Sequence, residues 1–306
     1  MLIYCNCIMF LEFYMGILGF SLIVLSAATH LVEGVLIKEY NKRHEKGGFV
    51  FTSLVSFAAM LFFLFYDIIA DESGLSFSPQ MMPYAFIAGI LYCAASLFTY
   101  LAIRMGSFAL SMLILSYSLV FPTLYGVIFC GDKTTVFSYL GFAAIAVSLF
   151  LVRGDSKKEE SKFSLKWLVM ISLSTIGSGF FSVITRMQQI KFNNAQTNEF
   201  MVLALLISAL TLFTVGVVMD KRDTLTILKK GTPYAICAGV SNGATNLLSL
   251  ITNLFVLISI SSPTRSAIKT AMSFILSVFV YKEKLMPRQI MGVAVGIVAV
   301  IFLNIQ

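Results

Sequence analysis

The chain alternates between long apolar stretches and short polar connections. Ten stretches have roughly the 20 residues that an α-helix needs to cross the hydrocarbon core of a bilayer. They fall at 13–37, 48–70, 81–103, 107–129, 134–152, 165–188, 198–219, 232–256, 258–281 and 286–304. This pattern predicts an all-α integral membrane protein with ten transmembrane helices.

The composition excludes an ordinary soluble domain. Charged residues make up 12% of the chain and apolar types 58%, whereas soluble domains carry about 25% charged residues. The formal net charge of +7 is assigned to basic cytoplasmic loops and not to nucleic-acid binding. We expect the lipid bilayer to be the main partner of the apolar surface of the protein.

Two sequence matches indicate an internal repeat. A Pro-Tyr-Ala-x-x-Ala-Gly segment begins at Pro83 and recurs at Pro233. An acidic residue followed by lysine occurs at Asp132 and, at nearly the same spacing, again at Glu283. Internal repeats at a fixed offset are typical of duplicated architectures.

The repeat divides the chain into two five-helix halves. The first half is 1–152, in which 1–14 is a possible N-terminal extension, and the second is 165–306. The polar segment 153–164 is the predicted cytoplasmic linker. Because each half has an odd number of spans, the second half is expected to be inverted relative to the first. Most lysines and arginines fall in loops on one predicted side, which places both termini outside the cytoplasm.

These motifs resemble the drug/metabolite transporter superfamily, and in particular its ten-helix EamA-like family. The resemblance rests on the acidic turns at Asp132 and Glu283 and on the final glycine-containing helices at Gly141 and Gly292. It implies two inverted five-helix repeats and secondary transport without a cofactor. Many relatives keep both termini inside the cell, and this chain departs from them in its predicted orientation.

Two cations within the ninth span are the strongest candidates for substrate binding. Arg265 and Lys269 share one helix face, and charged residues inside a membrane span commonly mark function. An anionic or zwitterionic substrate would compensate them. The alternative is that carboxylates or carbonyls pair with both and only lock helices together.

Polar stripes on two other spans predict the walls of a cavity. Asn242, Asn246 and Asn253 recur along the eighth span, and Ser178 and Ser182 along the sixth. The alternative role of these polar stripes is hydrogen bonding and close packing between helices. Tyr117 on the fourth span is a further candidate for substrate contact, and its alternative position is in the aromatic belt at the membrane interface.

Glu33 and His30 on the first span are candidates for proton coupling. Burial would shift the protonation of either group, and a first-helix glutamate has this role in small four-helix relatives of the superfamily. The alternative for Glu33 is an ion pair with Lys38 at the membrane edge.

These observations predict a secondary transporter for a small polar metabolite, anionic or zwitterionic, such as an amino acid, organic acid or phosphorylated sugar. We expect alternating access across a bacterial plasma membrane. The alternatives are a proton-coupled multidrug cation exporter using Glu33 and a non-transporting scaffold or lipid-handling protein. The sequence has no Walker loop, no HExxH motif and only two histidines. We therefore expect no enzyme activity, no cofactor and no metal site.

Overall fold

The computed structural model describes residues 2–44, 48–70, 76–130, 135–152, 165–220, 224–255, 258–283 and 285–302. Within these ranges, the side chains of 2–17, 70, 130, 138, 149, 152, 253–255, 258–260, 262–263 and 300 lie outside the description. The described residues form helices and no strands, which confirms the predicted all-α class.

The described part of the chain contains eleven helices. They are α1 (Leu2–Arg43), α2 (Gly48–Ala70), α3 (Met82–Met105), α4 (beginning with Phe108–Ser116), α5 (Val136–Val152), α6 (Leu165–Lys191), α7 (Thr197–Met219), α8 (Thr224–Lys230), α9 (Thr232–Phe255), α10 (Ile258–Phe279) and α11 (Pro287–Phe302). By length and composition, seven of them can cross a membrane: α1, α2, α3, α4, α6, α7 and α9.

The short helix α8 is the element that the hydrophobic pattern did not predict. Its seven residues, Thr224–Lys230, lie in a stretch assigned to a polar loop. Such a segment is far shorter than a membrane span, and two of its residues are lysines. Ile227 is buried, which gives the helix one apolar contact on the neighbouring helices.

Helix α4 changes its hydrogen-bonding pattern along its length. After Phe108–Ser116 the chain forms a 3₁₀ turn at Tyr117–Leu119, a second α-helical segment at Val120–Tyr125 and a π turn at Gly126–Cys130. Pro122 lacks the N–H that would bond to the preceding turn, which explains the irregularity just before it.

The helices pack in pairs drawn from both halves of the chain. The main pairs are α2 with α7, α1 with α9, α3 with α6, and α5 with α11. Close approach depends on glycine at two positions. A Cβ on Gly89 would lie 2.8 Å from the Ala204 carbonyl oxygen, and one on Gly239 would lie 2.5 Å from that of Val55. These glycines let α3 approach α7 and α9 approach α2.

Candidate functional site

A central cavity of about 210 Å³ lies among α1, α2, α3, α4, α6, α9 and α10. Its polar lining comprises His30, Glu33, Thr52, Tyr92, Ser96, Thr99, Tyr100, Ser118, Ser178, Ser182, Asn242, Thr245, Asn246, Ser249, Arg265, Ser266 and Lys269. Neither α5 nor α11 contributes to this lining. The cavity therefore brings together residues that are far apart in the sequence.

Asn242 is the centre of a hydrogen-bond network on one wall. Its side-chain oxygen accepts from the Tyr92 hydroxyl at 2.6 Å and from Asn246 Nδ2 at 2.9 Å. Its Nδ2 donates to Glu33 Oε1 at 3.0 Å. The side-chain amide of Asn242 thus joins three helices. The orientation of this amide is fixed because its oxygen accepts hydrogen bonds and its nitrogen donates one.

Arg265 and Lys269 contribute positive charge to the same cavity. Lys269 is buried, with 8% of its surface exposed, and Arg265 is half-buried. Among the described residues, no carboxylate oxygen lies within 4.0 Å of either cation. The buried Nε of Arg265 has no hydrogen-bond partner in that part of the chain. The alternative in which carboxylates pair with both cations has no such ion pair among the described residues.

Glu33 faces this cavity and does not pair with Lys38. Helix α1 continues to Arg43, so Glu33 lies about 15 Å from its end at 1.5 Å per residue. The predicted end at residue 37 had placed it near the membrane edge. Glu33 Oε2 is 3.9 Å from His30 Nδ1, and no described group hydrogen-bonds to this oxygen.

Eight of the ten predicted site residues line the cavity, and Tyr117 does not. Tyr117 is buried against α5, with its hydroxyl 2.5 Å from Ser148 Oγ, and it lines neither cavity described here. Tyr117 therefore lies outside the cavity in this structure, because α4 directs its side chain toward α5, and its contact with substrate stays a prediction. Asn253 lies on α9, but its side chain falls outside the described residues.

The sequence reasoning missed part of the α3 wall. Ser96 and Thr99 line the cavity with Tyr92, and their spacing of three and four residues is that of one helix face. This periodicity was visible in the sequence but lay within a stretch that is otherwise apolar.

A second cavity of about 130 Å³ adjoins the first. Its lining is Pro122, Phe181, Ser182, Thr185, Arg186, Gln189, Met201, Asn246, Ser249, Leu250 and Arg265, and six of these residues also line the central cavity. The pair extends toward the C-terminal end of α6, where Arg186 and Gln189 lie. We call this second space the vestibule.

A cluster of hydrogen bonds surrounds Glu283, which lies in the turn after α10. Glu283 accepts hydrogen bonds from Lys38 Nζ, from Ser277 Oγ, from Ser107 Oγ at 2.7 Å and from the Phe108 N–H at 3.2 Å. It thereby joins the end of α1, the start of α4 and the turn after α10. We call these five residues the Glu283 cluster.

The charge of Glu283 is stabilised by its partners. Burial by itself would raise the pKa of this carboxyl, but the hydrogen bond and charge of Lys38 and the Ser277 and Ser107 hydroxyls hold it below its ordinary value. The ammonium of Lys38 also lies 3.8 Å from the ring centroid of Tyr281. Phe108 of the cluster lies close to the central cavity, because a Cβ on the lining residue Gly34 would be 3.0 Å from its ring.

Comparisons with known proteins place this arrangement in a family. A solved structure described as "Crystal structure of protein" shares the fold, with a TM-score of 0.58 and 13% identity, over 93% of this chain and 98% of that one. No curated protein matches the chain. The sequence model described as "Sugar transport protein" matches residues 51–305. Since that match covers most of its length, the chain belongs to the Sugar transport protein family, a family of membrane transporters.

Proposed function

We propose that this protein is a secondary transporter that moves a small polar metabolite, anionic or zwitterionic, across a bacterial plasma membrane by alternating access. The observation that carries the proposal is the placement of Lys269 and Arg265 in an internal cavity without a carboxylate within 4.0 Å among the described residues. A cation inside a membrane protein is costly when no carboxylate lies within ion-pair distance. An anionic group on the substrate would offset that cost.

The neutral polar lining fits a substrate that also carries hydroxyl or amide groups. Asn246, Ser96 and Ser178 offer donors and acceptors in the same cavity as the two cations. Arg265 suits a carboxylate or phosphate through its planar fork, while Lys269 acts as a point charge. An acidic or phosphorylated sugar, an organic acid or an amino acid meets these requirements.

The two halves of this transporter are proposed to be inverted five-helix repeats with ten spans. The repeats are 1–152 and 165–306, joined by 153–164. The helix packing supports a two-fold relation between the halves, in which α1, α2 and α3 correspond to α6, α7 and α9. Helix α1 packs on α9, and correspondingly α6 packs on α3. Helix α2 also packs on α9, and correspondingly α7 packs on α3. Such repeats bind substrate near the midplane, where the halves meet. In this arrangement α5, α10 and α11 also span the membrane, and α8 lies at its surface.

The glycine contacts support the same symmetry. Gly89 approaches Ala204, and Gly239 approaches Val55, so equivalent glycines in the two halves meet nearly equivalent positions of the partner helix. A chance packing arrangement would not be expected to repeat this pair.

Alternating access is supported by the difference between the two ends of the cavity. One end adjoins the vestibule, and we propose that the Glu283 cluster, whose Phe108 packs against the lining residue Gly34, closes the other. A transport cycle must open the closed end, so the Lys38–Glu283 ion pair has to break in each cycle.

We further propose Glu33, with His30 beside it, as the group that couples transport to protons. The two cations beside Glu33 disfavour a permanently cationic drug as substrate.

Flux into proteoliposomes tests the proposal. The panel contains glucose, gluconate, glucose 6-phosphate and glutamate, which separates neutral, anionic and zwitterionic substrates. We expect uptake of at least one charged member and a loss of more than tenfold in Lys269→Ala. Lys191→Ala is the matched control, because Lys191 is an exposed lysine that lines neither cavity.

The outcomes separate the competing functions. Transport of glucose that is unaffected by Lys269→Ala would overturn the anionic substrate class. Folded protein without flux for the whole panel would favour the non-transporting scaffold.

For alternating access, a disulfide between Lys38→Cys and Glu283→Cys should stop flux, and reduction should restore it. Flux that continues through the cross-linked protein would contradict the cycle.

A further inference from the structure

The vestibule is built mainly on one face of α6. Ser182, Thr185, Arg186 and Gln189 follow the spacing of three and four residues that places side chains on a common face. Met201 of α7 and Leu250 of α9 complete an apolar side. The space is thus a shaped cavity with a polar wall, and it continues directly into the central cavity.

The charge of the vestibule has one sign. Two guanidinium groups, Arg186 and Arg265, line it, and none of its lining residues is acidic. Among the described residues neither arginine forms an ion pair, and the buried Nε of Arg265 lacks a hydrogen-bond partner there. Like charges that share a small space favour an anion between them.

The cations form a sequence of increasing depth. Arg186 lies five residues before the end of α6 at Lys191, or about 7 Å along the helix axis. Arg265 and Lys269 lie seven and eleven residues after the start of α10 at Ile258, or about 10 and 16 Å. Since Arg265 lines both cavities, it connects the outer cation to the inner one.

We propose that the vestibule is a peripheral anion-binding subsite. Arg186 captures the anionic group of the substrate there, before Arg265 and Lys269 receive it in the central cavity. This inference rests on the proposed function and deepens it, because selection against neutral compounds would begin at the entrance. The planar fork of Arg186 fits the oxygens of a carboxylate, sulfate or phosphate.

Substitution of Arg186 tests the subsite in flux measurements. Arg186→Gln should raise KM for gluconate about tenfold, the equivalent of about 1.4 kcal/mol, and leave kcat within about twofold, because the subsite acts before the central site. This rise in KM should be smaller at high ionic strength, where charge attraction is screened. Arg186→Lys should recover part of the loss. The matched control is Lys191→Gln, which removes one positive charge from the same helix without touching either cavity.

A binding measurement without transport keeps the subsite separate from the proposed function. Sulfate should raise the thermal stability of the detergent-solubilised wild type and of Lys191→Gln, and should do so less for Arg186→Gln. If this holds while no panel compound is transported, the proposed function fails and the subsite stands. If Arg186→Gln matches Lys191→Gln in sulfate stabilisation and in KM, the subsite is refuted. An equal rise of KM for glucose would also refute it, because a neutral sugar has no anionic group.

Discussion

Replacing Glu283 with glutamine should weaken the end of the protein that the Glu283 cluster holds together. Glutamine keeps the shape of the side chain but removes its charge, so Lys38 loses its ion pair. The hydrogen bonds from Ser107 and from the Phe108 N–H become neutral. Both charged partners are largely buried, with 16% and 14% of their side chains exposed.

The size of the effect follows from these contacts. Removing one partner of a buried ion pair costs about 3–5 kcal/mol, and a hydrogen bond to a charged group is worth about 1 kcal/mol more than a neutral one. Lys38 keeps its contact with the Tyr281 ring and some solvent access, which reduces the loss. We expect a loss of about 3 kcal/mol, which corresponds to a decrease in apparent Tm of about 6 °C for a chain of this size.

The matched control is Glu39→Gln on the same helix as Lys38. Glu39 and Arg43 form a more exposed pair at 3.9 Å, with 30% and 63% of their side chains exposed. Exposed pairs contribute about 0–1 kcal/mol, so its Tm should change by less than about 2 °C. Tm is measured at one scan rate in one detergent, because membrane proteins often unfold irreversibly. Equal Tm values for Glu283→Gln and Glu39→Gln would refute the reasoning.

The pH dependence provides a second measurement on the same cluster. The pKa of Glu283 is lower in the folded protein than its ordinary value of 4.5. Its contribution to stability is therefore fully present above pH 4.5 and is lost as the pH falls through the folded pKa. The difference in Tm between wild type and Glu283→Gln should narrow below pH 4.5, and a gap that stays constant to pH 3 would contradict this.

Three further substitutions test the packing and the cavity. Gly239→Val should destabilise the protein by about 3 kcal/mol in thermal unfolding, because its Cβ would lie 2.5 Å from the Val55 carbonyl oxygen. Its control is Ile236→Val, which changes an exposed side chain on the same helix and should leave the stability nearly unchanged. Tyr117→Phe should cost about 1 kcal/mol through its lost hydrogen bond to Ser148 but leave the KM for gluconate unchanged, and a tenfold change would return this residue to the substrate site. Asn242→Ala should raise that KM about tenfold by freeing Glu33 and Tyr92, and unchanged transport would remove the network from substrate binding.

Much of the fold follows from local sequence. Long apolar stretches predict helices at ten positions where the structure also has helices, because about 20 apolar residues match the length of a helix that crosses a bilayer and satisfies its own backbone hydrogen bonds. Helix α8 was missed because seven residues with two lysines carry neither the length nor the apolarity of a span. The polar stripe at Asn242 and the cations at Arg265 and Lys269 were likewise visible, since helical periodicity places them on common faces.

Local sequence predicts the positions of the long helices and the polar residues that share one helix face, because both depend on residues nearby in the chain. Which helix faces meet follows from the tertiary fold. Glu33 reaches Asn242 across 209 positions, and Lys38 reaches Glu283 across 245, while Tyr117 turns toward Ser148 and away from the cavity. Helix periodicity carries no information about such long-range contacts, because they depend on the crossing of helices from both halves and on glycines that set how closely they approach.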